Sequence, residues 1–419
     1  MNEDPALDLY SEALWEDPFP AFARLQRHHP VYPIHQAGMG RDMFVITGRK
    51  AIIDILLDPD RFSSRFYEIL SGGSAPNPEA ARIYAGGFPE VDVMLTTDPP
   101  AHSRFRSLVN KAFGPRRINA MQAKIEEAAD FLIDGFAARG SCDFIEEFAA
   151  PLPIYMISDV LGIPRSIHKR FREWSDAYAV RNGQMGTPEE EVAAAQLIVE
   201  CQHYLNGLVQ VRKAVPGEDM ISDIVHARET GEEPLNDIEI LAILQQLLIA
   251  GNETTRSALI GMMANLLSNP ALLHRLYDDR GLIPAAVEET LRYETPASTT
   301  WRIAREDVEI EGTAIPAGSI IMARLDAANR DGDHFEEAQA FTLDRRNTKT
   351  HLTFGQGIHF CIGHMLARRE LTIALTRLLD RLPGMSLIDG LSDLRIHSSV
   401  QFRTMRALHI GFAPQAPVA

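Results

Sequence analysis

The chain has 419 residues, with 41 Lys+Arg against 57 Asp+Glu and a formal net charge of −16. At 45% hydrophobic and 23% charged residues it can fill a large core, which excludes intrinsic disorder, and a surface of that sign repels nucleic-acid phosphate. Its three cysteines, Cys142, Cys201 and Cys361, are odd in number and far apart, which excludes a disulfide scaffold and fits a reducing compartment.

No stretch approaches the about 20 apolar residues of a spanning helix. The acidic start MNEDPALDLYSEALWEDPFP has neither the basic nor the apolar region of a signal peptide. A cytoplasmic protein with no membrane and no nucleic-acid partner is expected. No repeat, low-complexity tract or long linker interrupts the chain, so residues 1–419 are expected to form a single domain.

In chain order, Met43–Thr47 reads as a short strand, and Ser71–Pro78 and Tyr84–Glu90 carry the richest loop signals. In Asp98-Pro99-Pro100-Ala101-His102-Ser103-Arg104-Phe105-Arg106 the prolines fix the start of a helix. His102 and Arg106 then share one face, either holding a carboxylate or forming a surface basic stripe. Ala123–Phe136 and Glu189–Val211 place apolar residues three and four apart, as helices do.

From about Asp237 to Ser268 the helical pattern is almost unbroken, with Asn236 or Asp237 as cap and Pro270 as stop. Roughly 30 residues at 1.5 Å each span about 45 Å, and the apolar surface nearly all round Ile240–Ile249 implies burial. Inside it lies Ala250-Gly251-Asn252-Glu253-Thr254-Thr255. A mid-helix glycine costs about 1 kcal/mol against alanine, and a threonine hydroxyl can bond back to the carbonyl one turn earlier. Two readings remain open: close approach of something large, or helix packing through small residues.

Glu289 and Arg292 can pair at i and i+3. Val308–Ile310 and Ser319–Ala323 read as strands flanking a turn at Gly312–Gly318. Next comes Phe354-Gly355-Gln356-Gly357-Ile358-His359-Phe360-Cys361-Ile362-Gly363, which leads into a helix over Ile362–Leu379. Its glycines permit a tight turn, and a cysteine at a helix N-terminus is stabilised as the thiolate. That sulfur could be a metal ligand, a nucleophile with His351, His359 or His364 as base, or a small buried hydrophobe. A zinc site from His359, Cys361 and His364 is a further reading. A last strand is expected at Leu408–Phe412. The sum is a mainly α chain with minor β content.

These segments, in this order, resemble the cytochrome P-450 family, and in particular its soluble bacterial haem-thiolate monooxygenases. Residues 354–363 fill every fixed position of the family's Phe-Gly-x-Gly-x-His-x-Cys-x-Gly signature, and the likeness runs from about Asp17 to Phe412. The resemblance implies the cytochrome P-450 fold: one large helical domain with a small β-rich region and no fused reductase. It implies haem b with Cys361 as axial thiolate, which favours O–O cleavage. His102, Arg106, Arg302 and His359 match the positions that neutralise the haem propionates, while Phe354, Gly355 and Gly363 shape the cysteine loop. Ala250 and Gly251 match the residues against the haem face. Thr254 and Glu253 match the pair that delivers protons to oxygen, and they should point about 100° apart. Glu289, Arg292 and Arg345 match an ion-pair triad with a role in folding.

The implied activity is insertion of one atom of O2 into a hydrophobic small molecule: a terpenoid, steroid, fatty acid or aromatic compound. A peroxygenase, or a haem-binding protein without turnover, is the alternative. The implied partners are an iron–sulfur ferredoxin and its NAD(P)H-dependent reductase, the protein itself being a monomer. Ala101–Arg117, with Arg104, Arg106, Lys111, Arg116 and Arg117, is the candidate docking patch, joined by Arg368 and Arg369. Pocket residues are expected in Tyr84–Met94, around Leu247 and Ala250, in Ala297–Trp301 and near Gln401–Phe402, with Arg403 the only candidate charge.

Overall fold

A computed structural model describes residues 11, 14, 16–34, 41–66, 77–183, 187–397 and 399–415. Most of the Ser71–Pro78 loop expectation lies outside them, and Pro78 begins a short helix, Pro78–Tyr84. The helices that frame the site are α1 (Ala101–Asn110), α2 (Gln122–Asp134), α3 (Pro151–Leu161), α4 (His168–Gly183), α5 (Pro188–Ala214), α6 (Asp237–Ser268), α7 (Ile283–Glu294) and α8 (His364–Arg381).

The long helix α6 has the bounds its sequence dictates. Asn236 accepts from the Glu239 amide while the Glu239 carboxylate accepts from the Asn236 amide, a capping box contributing about 1 kcal/mol. Its surface is buried nearly all round, including Ile240, Leu241, Ile243, Leu244, Leu247 and Leu248. This follows from its place at the centre, packed against α3, α4, α5, α7 and α8. Each such fully buried aliphatic side chain contributes about 1.5–3 kcal/mol relative to exposure. Among the described residues no helix is long and apolar enough to cross a membrane.

One sheet joins β1 (Val31–Ile34), β2 (Met43–Ile46), β3 (Phe62–Ser63), β4 (Thr299–Ala304) and β5 (Ile320–Arg324) in the order β1-β2-β5-β4-β3. Only β2 and β5 run parallel, Met43 opposite Ile320; β4 lies antiparallel to β5, Thr299 opposite Arg324. Two expectations are corrected here. Val308–Ile310 pairs with Thr313–Ile315 in a hairpin of its own, so a strand lies within the Gly312–Gly318 segment expected to be a turn. The helix after the cysteine loop begins at His364 rather than Ile362, because Gly363 at φ −84°, ψ 1° is its cap.

Under α7, Glu289 and Arg292 are completely buried. Arg292 donates to both Glu289 oxygens at 2.8 and 2.7 Å, and Arg345 Nε lies 3.2 Å from each. The remaining Arg292 donors reach the carbonyls of Asn329, Ala338 and Ala340. These contacts tie α7 to the loop carrying Arg345. Next door, Glu288 receives Arg368 of α8 at 2.6 Å, with His351 Nε2 at 3.2 Å. Burial favours its neutral form, yet the hydrogen bonds from His351 and Arg368 hold its carboxyl at about 2. Arg368 in turn stacks 4.5 Å over the Phe354 ring, so this network fixes the base of the cysteine loop.

Candidate active site

A cavity of about 440 Å³ opens between α6 and the loop preceding α8. The loop is shaped by backbone constraints. The Cys361 amide donates to the Phe354 carbonyl at 2.9 Å, closing the turn. Gly355 and Gly357 take φ +69° and +70°, a region side chains disfavour. A Cβ on Gly357 would also meet the Leu56 carbonyl oxygen at 2.5 Å. Phe354, Gly355, Cys361 and Gly363 all line the cavity. Burial pushes the Cys361 thiol up, while the amides of Gly363 and His364 and the charges of Arg106 and Arg368 oppose it. The sulfur therefore meets converging N–H groups and positive charge, an environment built for an anionic, ligand-bound sulfur.

Opposite stands α6. Ala250, Gly251, Thr254 and Thr255 line the cavity. Thr254 Oγ1 donates to the Ala250 carbonyl at 2.8 Å, the back-bond its position implies. A Cβ at Gly251 would meet only Ile157 Cδ1, at 3.7 Å, so helix packing does not demand glycine there. Of the two readings left open by the sequence, space kept for a cavity occupant is the one the geometry favours. Glu253 is absent from the cavity wall and accepts from Arg256 at 3.3 Å. The acid and the alcohol thus diverge, as adjacent helical positions must.

At the cavity edge four basic side chains converge. The His102 and His359 rings lie with centroids 4.2 Å apart, tilted by 50°, and Arg106 donates to the Phe360 carbonyl at 2.8 Å. Arg302 lies behind them, outside the wall, reaching only its neighbours Trp301 O at 2.6 Å and Thr300 Oγ1 at 3.3 Å. Burial lowers Arg302 to about 10. Burial, with the charges of Arg302 and His102, lowers His359 to about 3, and His359 Nε2 is buried without a partner. Among the described residues neither Arg106 nor Arg302 pairs with a carboxylate. Two guanidiniums without a carboxylate, flanked by two imidazoles whose protonation burial disfavours, call for an anion from outside the chain.

No group of three His, Cys, Asp or Glu side chains placed to hold a metal exists among the described residues, which removes the zinc reading of His359, Cys361 and His364. The segments expected to form the pocket do meet, through Glu90, Met94, Leu247, Ala297, Trp301 and Phe402. Arg403 does not reach it; that side chain is buried against Phe19, 4.7 Å from the ring. The charged pair in the roof is instead Arg181 with Glu90, two oxygens of which accept from the guanidinium. Beside it Tyr178 donates to Gln245 at 2.6 Å. Glu90 falls in the expected segment Tyr84–Met94, but sequence reasoning missed Tyr178, Arg181 and Gln245 because they sit on helices, where a polar residue in a periodic pattern reads as surface. It also missed Glu370 of α8, a buried carboxyl in the cavity wall that burial pushes well up.

The family model described as Cytochrome P450 matches residues 202–383. Cytochrome P450 107B1 of Saccharopolyspora erythraea is 38% identical over 413 residues, 98% of each chain. The chain belongs to the cytochrome P450 family. Its P450 relatives include the 6-deoxyerythronolide B hydroxylase of the same organism, 36% identical over 91% of this chain and 92% of that one. A solved structure, cytochrome P450 CREJ in complex with (4-ethylphenyl) dihydrogen phosphate, superposes with TM-score 0.87 at 30% identity, covering 95% of this chain and 98% of that one. The protein is a P450 monooxygenase, and P450 membership implies haem with cysteine thiolate ligation. The site fits that group: a sulfur ringed by amides faces the cavity, and the cationic edge lacks the carboxylates that haem propionates would bring.

Proposed function

We propose that Cys361 is the axial thiolate of haem b. In this reading His102, Arg106, Arg302 and His359 hold its propionates, and the protein inserts one atom of O2 into a hydrophobic small molecule. The observation that carries this reading is one cavity shared by the Cys361 sulfur on one wall and Thr254 on the other, with the unpaired cationic cluster at its rim. When bound, haem supplies the activation of dioxygen. The chain's own groups do the rest. Amides at Gly363 and His364 moderate the sulfur charge, Ala250 and Gly251 leave room beside it, Thr254 holds a proton at Oγ1 and Glu253 brings the next one from outside the cavity. Phe354 and Gly355 shape the loop that presents the sulfur.

The substrate class is a terpenoid, steroid, fatty acid or aromatic compound, because the cavity is walled mainly by apolar side chains such as Leu247, Met94 and Phe402. The polar roof of Tyr178, Gln245, Arg181 and Glu90 suits a substrate with one hydrogen-bonding end. Electrons come from a ferredoxin and its NAD(P)H-dependent reductase, in the cytoplasm, and the working form is a monomer. The basic stretch Ala101–Arg117 remains the candidate docking surface, with much of its charge paired within the chain. Arg104 is committed to Glu239, Lys111 to Glu229, Arg117 to Asp223 and Arg369 to Asn119 and Gln122. The side chain of Arg116 lies outside the described residues. Ile358 and Met365, exposed on either side of Cys361, offer an apolar centre for that contact.

A turnover comparison tests the reading. With ferredoxin, reductase and NAD(P)H, a substrate found by spin-state titration gains one oxygen from isotopically labelled O2. Product formed with hydrogen peroxide alone, and none with the reductase system, would replace the monooxygenase reading with a peroxygenase.

A further inference from the structure

The face of α6 that lines the cavity carries Ala242, Gln246, Ala250, Thr254 and Ala258, four residues apart in one row. Gln246, half-buried, is the long polar side chain in that row of small ones. Its orientation is set from outside the helix. The Leu95 amide, in the turn Met94–Thr96, donates to Gln246 Oε1 at 3.2 Å, so that end of the side-chain amide is the oxygen. The other end, Nε2, donates to no protein group among the described residues. Its two N–H bonds are therefore held at a fixed place in a mainly apolar wall, the arrangement that orients a small ligand.

The polar groups beside it already pair with one another. Gln245 accepts from Tyr178 at 2.6 Å and from Gln202 at 3.2 Å, and its own amine donates to the Leu241 carbonyl at 3.1 Å. Arg181 is held by Glu90 and lies 4.9 Å over the Tyr84 ring. A substrate carboxylate would have to displace Glu90, and an ammonium would have to displace Arg181. Either exchange strands a charge in a partly buried site. A neutral oxygen meeting Gln246 Nε2 breaks nothing.

We infer that Gln246 Nε2 donates to a neutral oxygen of the substrate, a ketone, lactone or hydroxyl, and so selects the carbon that is oxidised. This rests on the monooxygenase reading and narrows its substrate to an oxygenated neutral hydrophobe, a steroid or terpenoid rather than a free fatty acid. The helix supplies the ruler. Gln246 and Ala250 stand about 6 Å apart along α6, and Ala250 faces the Cys361 loop across the cavity. The carbon presented there lies about one helical turn from the anchored oxygen.

Spin-state titrations of the holoenzyme with paired probes test this: androstan-3-one against androstane, and menthone against p-menthane, each pair differing by one ketone. Unaltered protein is expected to bind at least one ketone about tenfold more tightly than its hydrocarbon, as one added hydrogen bond allows. Laurate should bind more weakly than that ketone. Gln246→Met, close in volume and without a donor, should erase the ketone's advantage while the hydrocarbon keeps its affinity. In turnover the same variant should spread product over several hydroxylation positions. Absence of a shift with either ketone, equal affinity within each pair, or an advantage that survives Gln246→Met would overturn the inference. A variant that loses ketone and hydrocarbon alike would assign Gln246 to holding the Leu95 segment and would overturn it too. If unaltered protein keeps the ketone preference but forms no product from O2, the monooxygenase reading fails and the anchor stands.

Discussion

Replacing Thr254 by alanine is expected to leave NAD(P)H consumption running while hydroxylated product falls about a hundredfold and hydrogen peroxide accumulates in its place. The reasoning is local. Thr254 Oγ1 is the hydroxyl of the α6 face that both lines the cavity and donates to the Ala250 carbonyl, so it holds a proton at a fixed position. Glu253 cannot substitute from where it stands, paired to Arg256 and outside the wall. Alanine is the better helix former, so loss of stability cannot account for the effect. Thr254→Ser, which keeps the hydroxyl, should restore most of the coupling. Measured product per NAD(P)H consumed decides the matter, and full coupling in the alanine variant would remove Thr254 from the mechanism.

Glu289→Gln should be the most damaging substitution outside the cavity. It keeps the volume and removes the single negative charge facing two buried guanidiniums, Arg292 with no exposed side-chain surface and Arg345 with 4%. Breaking such a buried pair from one side costs about 3–5 kcal/mol, a large share of the 5–15 kcal/mol that holds a folded protein together. Carbonyls of Asn329, Ala338 and Ala340 accept from Arg292 but cannot neutralise it. Chemical denaturation should show the midpoint falling sharply and recovered haem content falling with it. Removing Asp54, whose exposed pairing with Lys50 spans one helical turn, should leave both unchanged. Equal midpoints for the two variants would contradict the folding role of the triad.

The sequence made long-range helices legible and short strands hard to read, for physical reasons. Helix α6 announces itself through local signals: a capping box at Asn236 and Glu239, an apolar run, then Pro270. The strand Met43–Ile46 is recognisable by composition, but its partner Ile320–Arg324 lies far along the chain, and no local pattern announces that pairing. Thr299–Ala304, half polar, gave no strand signal although it lies inside the sheet. The site was legible where backbone geometry demands particular residues, as at Gly355 and Gly357. Positions set by tertiary packing alone were not. Arg181 and Glu90 meet only because α4 folds over the segment after Tyr84, and the basic segment Ala101–Arg117 looked free only because its partners, Glu239, Glu229 and Asp223, are remote in sequence.

The central claim is that Cys361 presents a thiolate to haem iron in this cavity. The absorption spectrum of purified protein, reduced with dithionite and exposed to carbon monoxide, tests it most directly. A strongly red-shifted Soret band, lost in Cys361→His, is the predicted result. An unshifted band in the unaltered protein would mean a neutral proximal ligand and would contradict the account.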